Sequence, residues 1–185
     1  MLAKEICMAE YKQKRILYSA DDLKTRVEEL GKQISLDYEG KDLVVIGVMK
    51  GSLYFFADLT RAITIPIGID LISIGTIPNT TNRTGIVRIT KDLDLDITGK
   101  NVLVIEDIIR TGLTTAYLVQ NLDARKPESI HVCSLLLLPD QQLINVPVKY
   151  FGYEITNEWL IGYGMDIRER GRNLPYIAEI EKNFG

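Results

Sequence analysis

The sequence predicts an α/β fold in which helices flank a parallel β-sheet. Short, almost continuously apolar runs alternate along the chain with segments of helical periodicity. Continuous apolar runs are typical of strands that are buried on both faces. Helices between such strands indicate right-handed crossovers and therefore parallel pairing. Because ligands bind beyond the carboxyl ends of the strands in open sheets of this kind, the loops that follow the strands are the candidate site.

The predicted helices follow from apolar spacing. The first begins after Ser19, which can cap it, and continues to about residue 38 because apolar side chains recur every three to four positions. The second covers residues 53–63 and the third covers residues 114–126. The predicted strands are residues 42–49, 67–74, 101–105 and 129–138, followed by two short strands at 149–155 and 159–163.

Length and composition indicate a single ordinary globular domain. The chain has 185 residues, of which 46% are hydrophobic and 25% are charged. These values exclude a disordered chain, a collagen-like fibre and a small disulfide-stapled protein. The formal net charge of −3 gives no overall attraction to nucleic acid or to anionic lipid. We therefore expect neither nucleic acid nor a membrane as a partner.

The cysteines and the N-terminal residues predict a cytoplasmic protein. Cys7 and Cys133 are far apart and have no CxxC spacing, so neither a disulfide framework nor a zinc site is indicated. No apolar run approaches the ~20 residues that span a bilayer. Residues 1–17 carry too many charges for a signal peptide.

The stretch 102–115, VLVIEDIIRTGLTT, carries the clearest chemical pattern. A buried strand delivers the adjacent carboxylates of Glu106 and Asp107, and a Thr-Gly turn then opens a helix. Backbone N–H groups and threonine hydroxyls at a helix N-terminus can cradle a phosphate, and the carboxylates suit sugar hydroxyls. The pattern therefore indicates a ribose 5-phosphate site. The alternative is an ordinary strand-turn-helix junction with capping residues.

The same stretch resembles the phosphoribosyl diphosphate (PRPP) motif of type I phosphoribosyltransferases. The rest of the chain, from about residue 16 to 180, resembles the bacterial hypoxanthine-guanine branch, with the runs DLVVIGVMKGSLYFFADL and VKYFGYEITNEWLIGYGMDIRERGRNLPYI as the main matches. The resemblance implies a type I phosphoribosyltransferase fold with a sheet of about five parallel strands. It also implies a small hood subdomain, built from the N-terminal segment and about residues 139–185 of one domain spanning 1–185.

The resemblance further implies an enzyme that binds PRPP with Mg²⁺, transfers the phosphoribosyl group to a purine or related acceptor, and releases pyrophosphate. Such enzymes are usually homodimers or homotetramers. The implied PRPP-binding residues are Lys50, Gly51, Glu106, Asp107, Thr111, Gly112, Leu113, Thr114, Thr115 and Arg172. The implied base-binding residues are Leu138, Trp159 and Leu160, and the implied metal ligands are Asp166, Glu106 and Asp107. Residues 75–85 are polar and glycine-bounded, and we expect a lid there that includes Thr76 and Ile77.

The chain departs from the family pattern in three places, one of which is a pair of residues. The family motif reads EDIIDTG or EDIIDSG, with an aspartate that accepts a proton from the purine, and here the residue is Arg110. The lysine that reads the purine oxygen is replaced by Leu138, and the Ser-Tyr pair of the lid is replaced by Thr76 and Ile77. Arginine cannot act as a base near neutral pH, so these changes predict feeble turnover of 6-oxopurines.

Several hypotheses remain open at this point. The guanidinium of Arg110 could pair with an acidic acceptor, it could pair with Asp107 or Glu106 and block the site, or the change could be drift. The protein itself is predicted to be an active phosphoribosyltransferase that uses Glu106 and Asp107, with Arg110 at the position of the family's base. The alternatives are a catalytically silent PRPP- or nucleotide-binding regulator and a repurposed enzyme of a specialised biosynthetic pathway.

Overall fold

The computed structural model describes residues 12–77, 86–156 and 159–181. These residues form two sheets and three α-helices, together with a short 3₁₀ helix at Pro139–Gln141. The helices are α1 (Ala20–Asp37), α2 (Leu53–Ala62) and α3 (Leu113–Asp123). The strands are β1 (Gln13–Tyr18), β2 (Leu43–Met49), β3 (Gly68–Ile77), β4 (Ile86–Lys91), β5 (Asn101–Ile109), β6 (Ser129–Leu137), β7 (Val148–Glu154), β8 (Leu160–Ile161) and β9 (Ile177–Ile180).

The main sheet has six strands in the order β4-β3-β2-β5-β6-β7. Five of them, from β3 to β7 in that order, are parallel, and β4 pairs antiparallel with β3 at the edge. The predicted α/β fold with a mostly parallel sheet flanked by helices is confirmed. The antiparallel edge strand β4 was not among the predicted elements.

The sheet is covered on both faces, which explains its continuously apolar strands. Successive residues of β2 alternate between two cores: Val45 packs with α1 and α2, whereas Ile46 packs with α3. Ser19 caps α1 through a reciprocal pair of hydrogen bonds with Asp22, which confirms the predicted start of this helix. The carboxyl ends of β2 and β5 therefore open between the α1–α2 layer and the N-terminus of α3.

A small antiparallel sheet joins the two ends of the described chain. Its order is β1-β9-β8, and Gln13 in β1 pairs with Ile180 in β9. The hood was expected to include all residues from about 139 onward. However, β7 lies within that range and belongs to the main sheet, because it pairs in parallel with β6 from Val132–Val148 onward. The C-terminal part of the small sheet therefore begins only at Leu160.

In the part of the chain that the structure describes, none of the helices has the length and apolar character needed to cross a membrane.

Candidate active site

A cavity of about 420 Å³ lies at the carboxyl edge of the main sheet. Its described walls come from the ends of β2 and β3, from residues 106–112, and from the first turn of α3. This is the edge at which the parallel topology predicts a ligand site. Glu106, Asp107, Arg110 and the threonines of the predicted phosphate cradle all line this one cavity together with Gly51.

The adjacent carboxyl groups of Glu106 and Asp107 lie in different surroundings. Glu106 is buried, and burial together with the nearby charge of Asp107 raises its pKa well above the ordinary value, against a hydrogen bond from Thr115. Burial also raises the pKa of Asp107, while backbone N–H groups and the charge of Arg172 act in the opposite direction. Burial thus disfavours the charged form of both carboxyl groups, and the charge of Arg172 opposes this effect at Asp107.

The start of α3 has the geometry of an anion site. Gly112 precedes the helix with φ of 78° and offers no side-chain cap. A Cβ there would lie 2.8 Å from the carbonyl oxygen of Ile144, so only glycine fits the turn. The uncapped first turn leaves backbone N–H groups for a ligand beside Thr114 and Thr115, which both line the cavity.

Three segments stack tightly at the other end of the cavity. The Met49–Lys50 peptide bond is cis. A Cβ on Gly51 would lie only 1.9 Å from Asp107 Oδ2, and a Cβ on Gly164 would lie 1.8 Å from the carbonyl oxygen of Gly51. Glycines are therefore required where the loop after β2 passes between the carboxyl pair and Gly164.

A charged cluster adjoins this stack. Lys50 Nζ lies 2.9 Å from Glu169 Oε2, and Arg172 Nη2 lies 3.4 Å from the same oxygen. Arg172 also contacts Asp166 Oδ1 at 2.7 Å and donates from Nη1 to the carbonyl oxygen of Gly164 at 2.7 Å. The fold thus brings together Lys50, Asp166 and Arg172, three of the residues singled out in the sequence. The sequence analysis did not single out Gly164 or Glu169. The signal that could have pointed to Gly164 is the pair of glycines on either side of Tyr163.

Arg110 lines the cavity, and no partner for its guanidinium is found among the described residues. Within the described ranges it forms neither an ion pair nor a hydrogen bond, so the hypothesis that it blocks the site by pairing with Glu106 or Asp107 receives no support. Leu138 is only 1% exposed, and its backbone N–H donates to the carbonyl oxygen of Ile109 at 3.0 Å. Its side chain is not among the described walls of the cavity.

The remaining expected base and lid residues are only partly described. Trp159 is exposed, and Leu160 is buried in β8, where it pairs with Glu179 of β9. Thr76 and Ile77 end β3, and their side chains lie outside the described residues, as does most of the expected lid at 75–85.

Of the two cysteines, Cys7 lies outside the described residues, whereas Cys133 is a buried free thiol.

The expected metal ligands do not converge into one protein site. Among the described residues there is no group of three or more acidic, histidine or cysteine side chains arranged to hold a metal ion. Instead, Asp166 forms an ion pair with Arg172 through Oδ1 at 2.7 Å. It also accepts a hydrogen bond from the backbone N–H of Glu169 at Oδ2, likewise at 2.7 Å. The predicted grouping of Asp166 with Glu106 and Asp107 is therefore not formed by side chains alone.

Comparison with known proteins identifies the family. Residues 16–168 match the model of the phosphoribosyl transferase domain. The chain belongs to this family. It is 41% identical over 174 residues to a hypoxanthine-guanine phosphoribosyltransferase of Mycobacterium bovis, covering 91% of this chain and 86% of the relative. It is 42% identical over 168 residues to a hypoxanthine phosphoribosyltransferase of Haemophilus influenzae, covering 89% and 94% respectively.

Solved structures agree with the sequence relatives. A hypoxanthine-guanine phosphoribosyltransferase from Bacillus anthracis, with a HEPES molecule in its active site, superposes with a TM-score of 0.86 at 41% identity and covers 93% of this chain and 99% of that one. A hypoxanthine phosphoribosyltransferase from Staphylococcus aureus gives a TM-score of 0.86 at 39% identity, covering 91% and 92%. The similarity to this family thus extends over nearly the whole chain.

Proposed function

We propose that this phosphoribosyltransferase moves the phosphoribosyl group of PRPP to a purine base, forming a nucleoside 5′-monophosphate and pyrophosphate. The names of its relatives support this reaction. The observation that carries it is the buried carboxyl pair beside an uncapped helix N-terminus in one cavity. A sugar that bears hydroxyls and a terminal phosphate fits such a pair of subsites.

The roles of the residues follow from the chemistry of each subsite. Residues 111–115 bind the 5′-phosphate through N–H groups and hydroxyls. Glu106 and Asp107 bind the ribose hydroxyls and stabilise positive charge that develops on the ribose ring. The backbone of Lys50 and Gly51, together with the guanidinium of Arg172, holds the diphosphate, for which a planar cationic fork is well suited.

Magnesium fits this site as an ion shared with the substrate. Mg²⁺ is usually bound through one or two carboxylates and substrate phosphates rather than by an all-protein cage, which agrees with the lack of a three-ligand group among the described side chains. Asp166 and Asp107 would hold it, because the two carboxyl groups lie close enough for the charge of Asp166 to raise the pKa of Asp107. When bound, the ion neutralises charge on the diphosphate that leaves.

In the transfer step, one bond at C1 of the ribose breaks and another forms. The bond between C1 and the diphosphate oxygen breaks, with its electron pair going to pyrophosphate, and a ring nitrogen of the acceptor bonds to C1. The acceptor nitrogen then releases a proton to solvent water. Arg110 cannot take that proton, because its guanidinium stays protonated. Loss of general-base help typically costs ~10²–10⁴ in rate, so we propose that neutral 6-oxopurines are turned over slowly.

The guanidinium of Arg110 favours a second acceptor class. Arg110 lines the cavity and has no described internal partner, so an acceptor that carries its own negative charge would pair with it and would need no protein base. A panel tests both classes: hypoxanthine and guanine against xanthine and a carboxylate-bearing purine, each with PRPP and Mg²⁺. Preference for the neutral bases would reject the acidic class.

The same panel separates the enzyme from a silent binder. The matched variants are Asp107→Asn, at the ribose hydroxyls, and Asp123→Asn, at the distal end of α3. We expect turnover to fall only in the first. Binding of PRPP without turnover of any acceptor would instead favour the regulator, and absence of both would favour the repurposed enzyme.

We also propose a cytoplasmic homodimer or homotetramer. The free buried thiol of Cys133 fits a reducing compartment. Analytical ultracentrifugation tests the oligomeric state, and a monomer at micromolar concentration would reject it.

A further inference from the structure

The carboxylate of Glu169 occupies the position between two cations of the charged cluster. One oxygen, Oε2, accepts from Lys50 Nζ at 2.9 Å and from Arg172 Nη2 at 3.4 Å. The two cations belong to distant parts of the chain, the loop after β2 and the segment before β9. A single acidic oxygen thus bridges the residues to which the proposed function assigns the diphosphate.

Arg172 retains capacity for another anion. Its side chain is 22% exposed, and its Nη atoms contact Asp166, Glu169 and the carbonyl oxygen of Gly164. Its Nε is buried and has no partner among the described residues. A buried N–H group without an acceptor is uncommon and costly. The contacts that Glu169 and Asp166 supply therefore leave this guanidinium incompletely satisfied.

The backbone holds Glu169 in place without burying it. Ile167 and Arg170 exchange two backbone hydrogen bonds of 3.0 Å, and the two residues between them, Arg168 and Glu169, have φ of 50° and 64°. This turn favours glycine or asparagine at its centre, yet it carries a glutamate whose side chain is 66% exposed. An exposed side chain on a tight turn can swing aside at small cost.

We propose that Glu169 is an internal substitute for the diphosphate group and competes with it for Lys50 and Arg172. In the free protein its carboxylate neutralises the two cations. When a diphosphate binds, the Glu169 carboxylate moves away from Lys50 and Arg172. The more highly charged ligand then takes its place between the two cations. Weak monoanions do not displace it, so the residue sets the selectivity of this subsite for diphosphates. The inference rests on the proposed function, since that function defines the subsite.

The opposite role predicts the opposite sign. If Glu169 were a permanent support that positions Lys50 in the bound state, removing its charge would weaken binding of the diphosphate. If it is a competitor, removing its charge strengthens binding. The sign of the effect therefore distinguishes the two roles without any knowledge of the acceptor.

The test uses inorganic pyrophosphate with Mg²⁺, titrated calorimetrically into the wild-type protein, Glu169→Gln and the control Glu128→Gln. Glu128 is also exposed but lies just before β6, at the opposite edge of the sheet. We expect Glu169→Gln to bind about 2- to 10-fold more tightly, as befits loss of an exposed charge pair, and the control to match the wild type. The increase in pyrophosphate affinity of Glu169→Gln over the wild type should be smaller at about 0.5 M salt, because salt screens exposed charges. A kinetic readout should show a lower KM for PRPP with little change in kcat.

Equal or weaker binding by Glu169→Gln, in protein with an unchanged melting temperature, would overturn the inference. The proposed function fails separately: if no acceptor is turned over but Glu169→Gln still binds pyrophosphate more tightly, the competitor role stands and the transferase assignment falls. If neither the wild type nor the variant binds pyrophosphate, the competitor role is wrong, and the turnover panel alone decides the transferase assignment.

Discussion

Replacing Gly51 with alanine should displace the carboxylate of Asp107 from the ribose subsite. The added Cβ would lie 1.9 Å from Asp107 Oδ2, whereas real contacts of a Cβ are at least 3.0 Å, so one group must move by about 1.1 Å. Gly51 has little room to retreat, because its carbonyl oxygen already lies against Gly164. A misplacement of about 1 Å at a reacting centre can lower the rate by ~10²-fold.

The assay is steady-state release of pyrophosphate from PRPP, with the best acceptor of the panel. We expect kcat/KM of Gly51→Ala to fall by about 10²-fold. The matched control is Gly68→Ala at the start of β3, where the new Cβ would meet Val44 at 3.3 Å, an adjustment of a few tenths of an ångström. Its activity should stay within about 2-fold of wild type. Full activity in Gly51→Ala at an unchanged melting temperature would refute the steric argument.

Two further predictions concern the cavity. Arg110→Asp should raise turnover of hypoxanthine or guanine by about 10-fold or more, because it restores a proton acceptor; an unchanged rate would mean that proton removal does not limit the reaction. Glu106→Gln should be more stable than wild type, by a margin that grows as pH rises above 4.5. Because burial raises the pKa of Glu106 in the folded protein, the unfolded chain loses this proton at a lower pH. The wild-type fold therefore loses stability as pH rises from 4.5 through the raised pKa of the folded protein. Melting temperatures between pH 4.5 and 8 measure the margin; a constant margin would contradict the raised pKa.

The sequence predicts local features of this protein well. The start of α1 is readable because Ser19 and Asp22 form a cap within four residues. The junction between β5 and α3 is readable because the carboxylates, the glycine turn and the threonines are contiguous. In both cases, the residues that identify the feature lie together in one short segment.

Features that depend on distant pairing could not be predicted in the same way. The polar strand β1 has four exposed residues, and its pairing with β9 joins residues separated by most of the chain. The same holds for Glu169, whose contact with Lys50 spans 119 positions. Leu138 was expected to face the purine, but it follows β6 and is only 1% exposed. The motif alone does not reveal this burial.

The most direct test of the central claim counts both products of a single reaction. Purified protein is incubated with PRPP, Mg²⁺ and hypoxanthine, and mass spectrometry measures the nucleotide while a coupled assay measures pyrophosphate. The account predicts equal amounts of nucleoside 5′-monophosphate and pyrophosphate, formed slowly in the wild type and not in Asp107→Asn. If folded protein forms neither product with hypoxanthine or with any acceptor of the panel, the transferase assignment is contradicted.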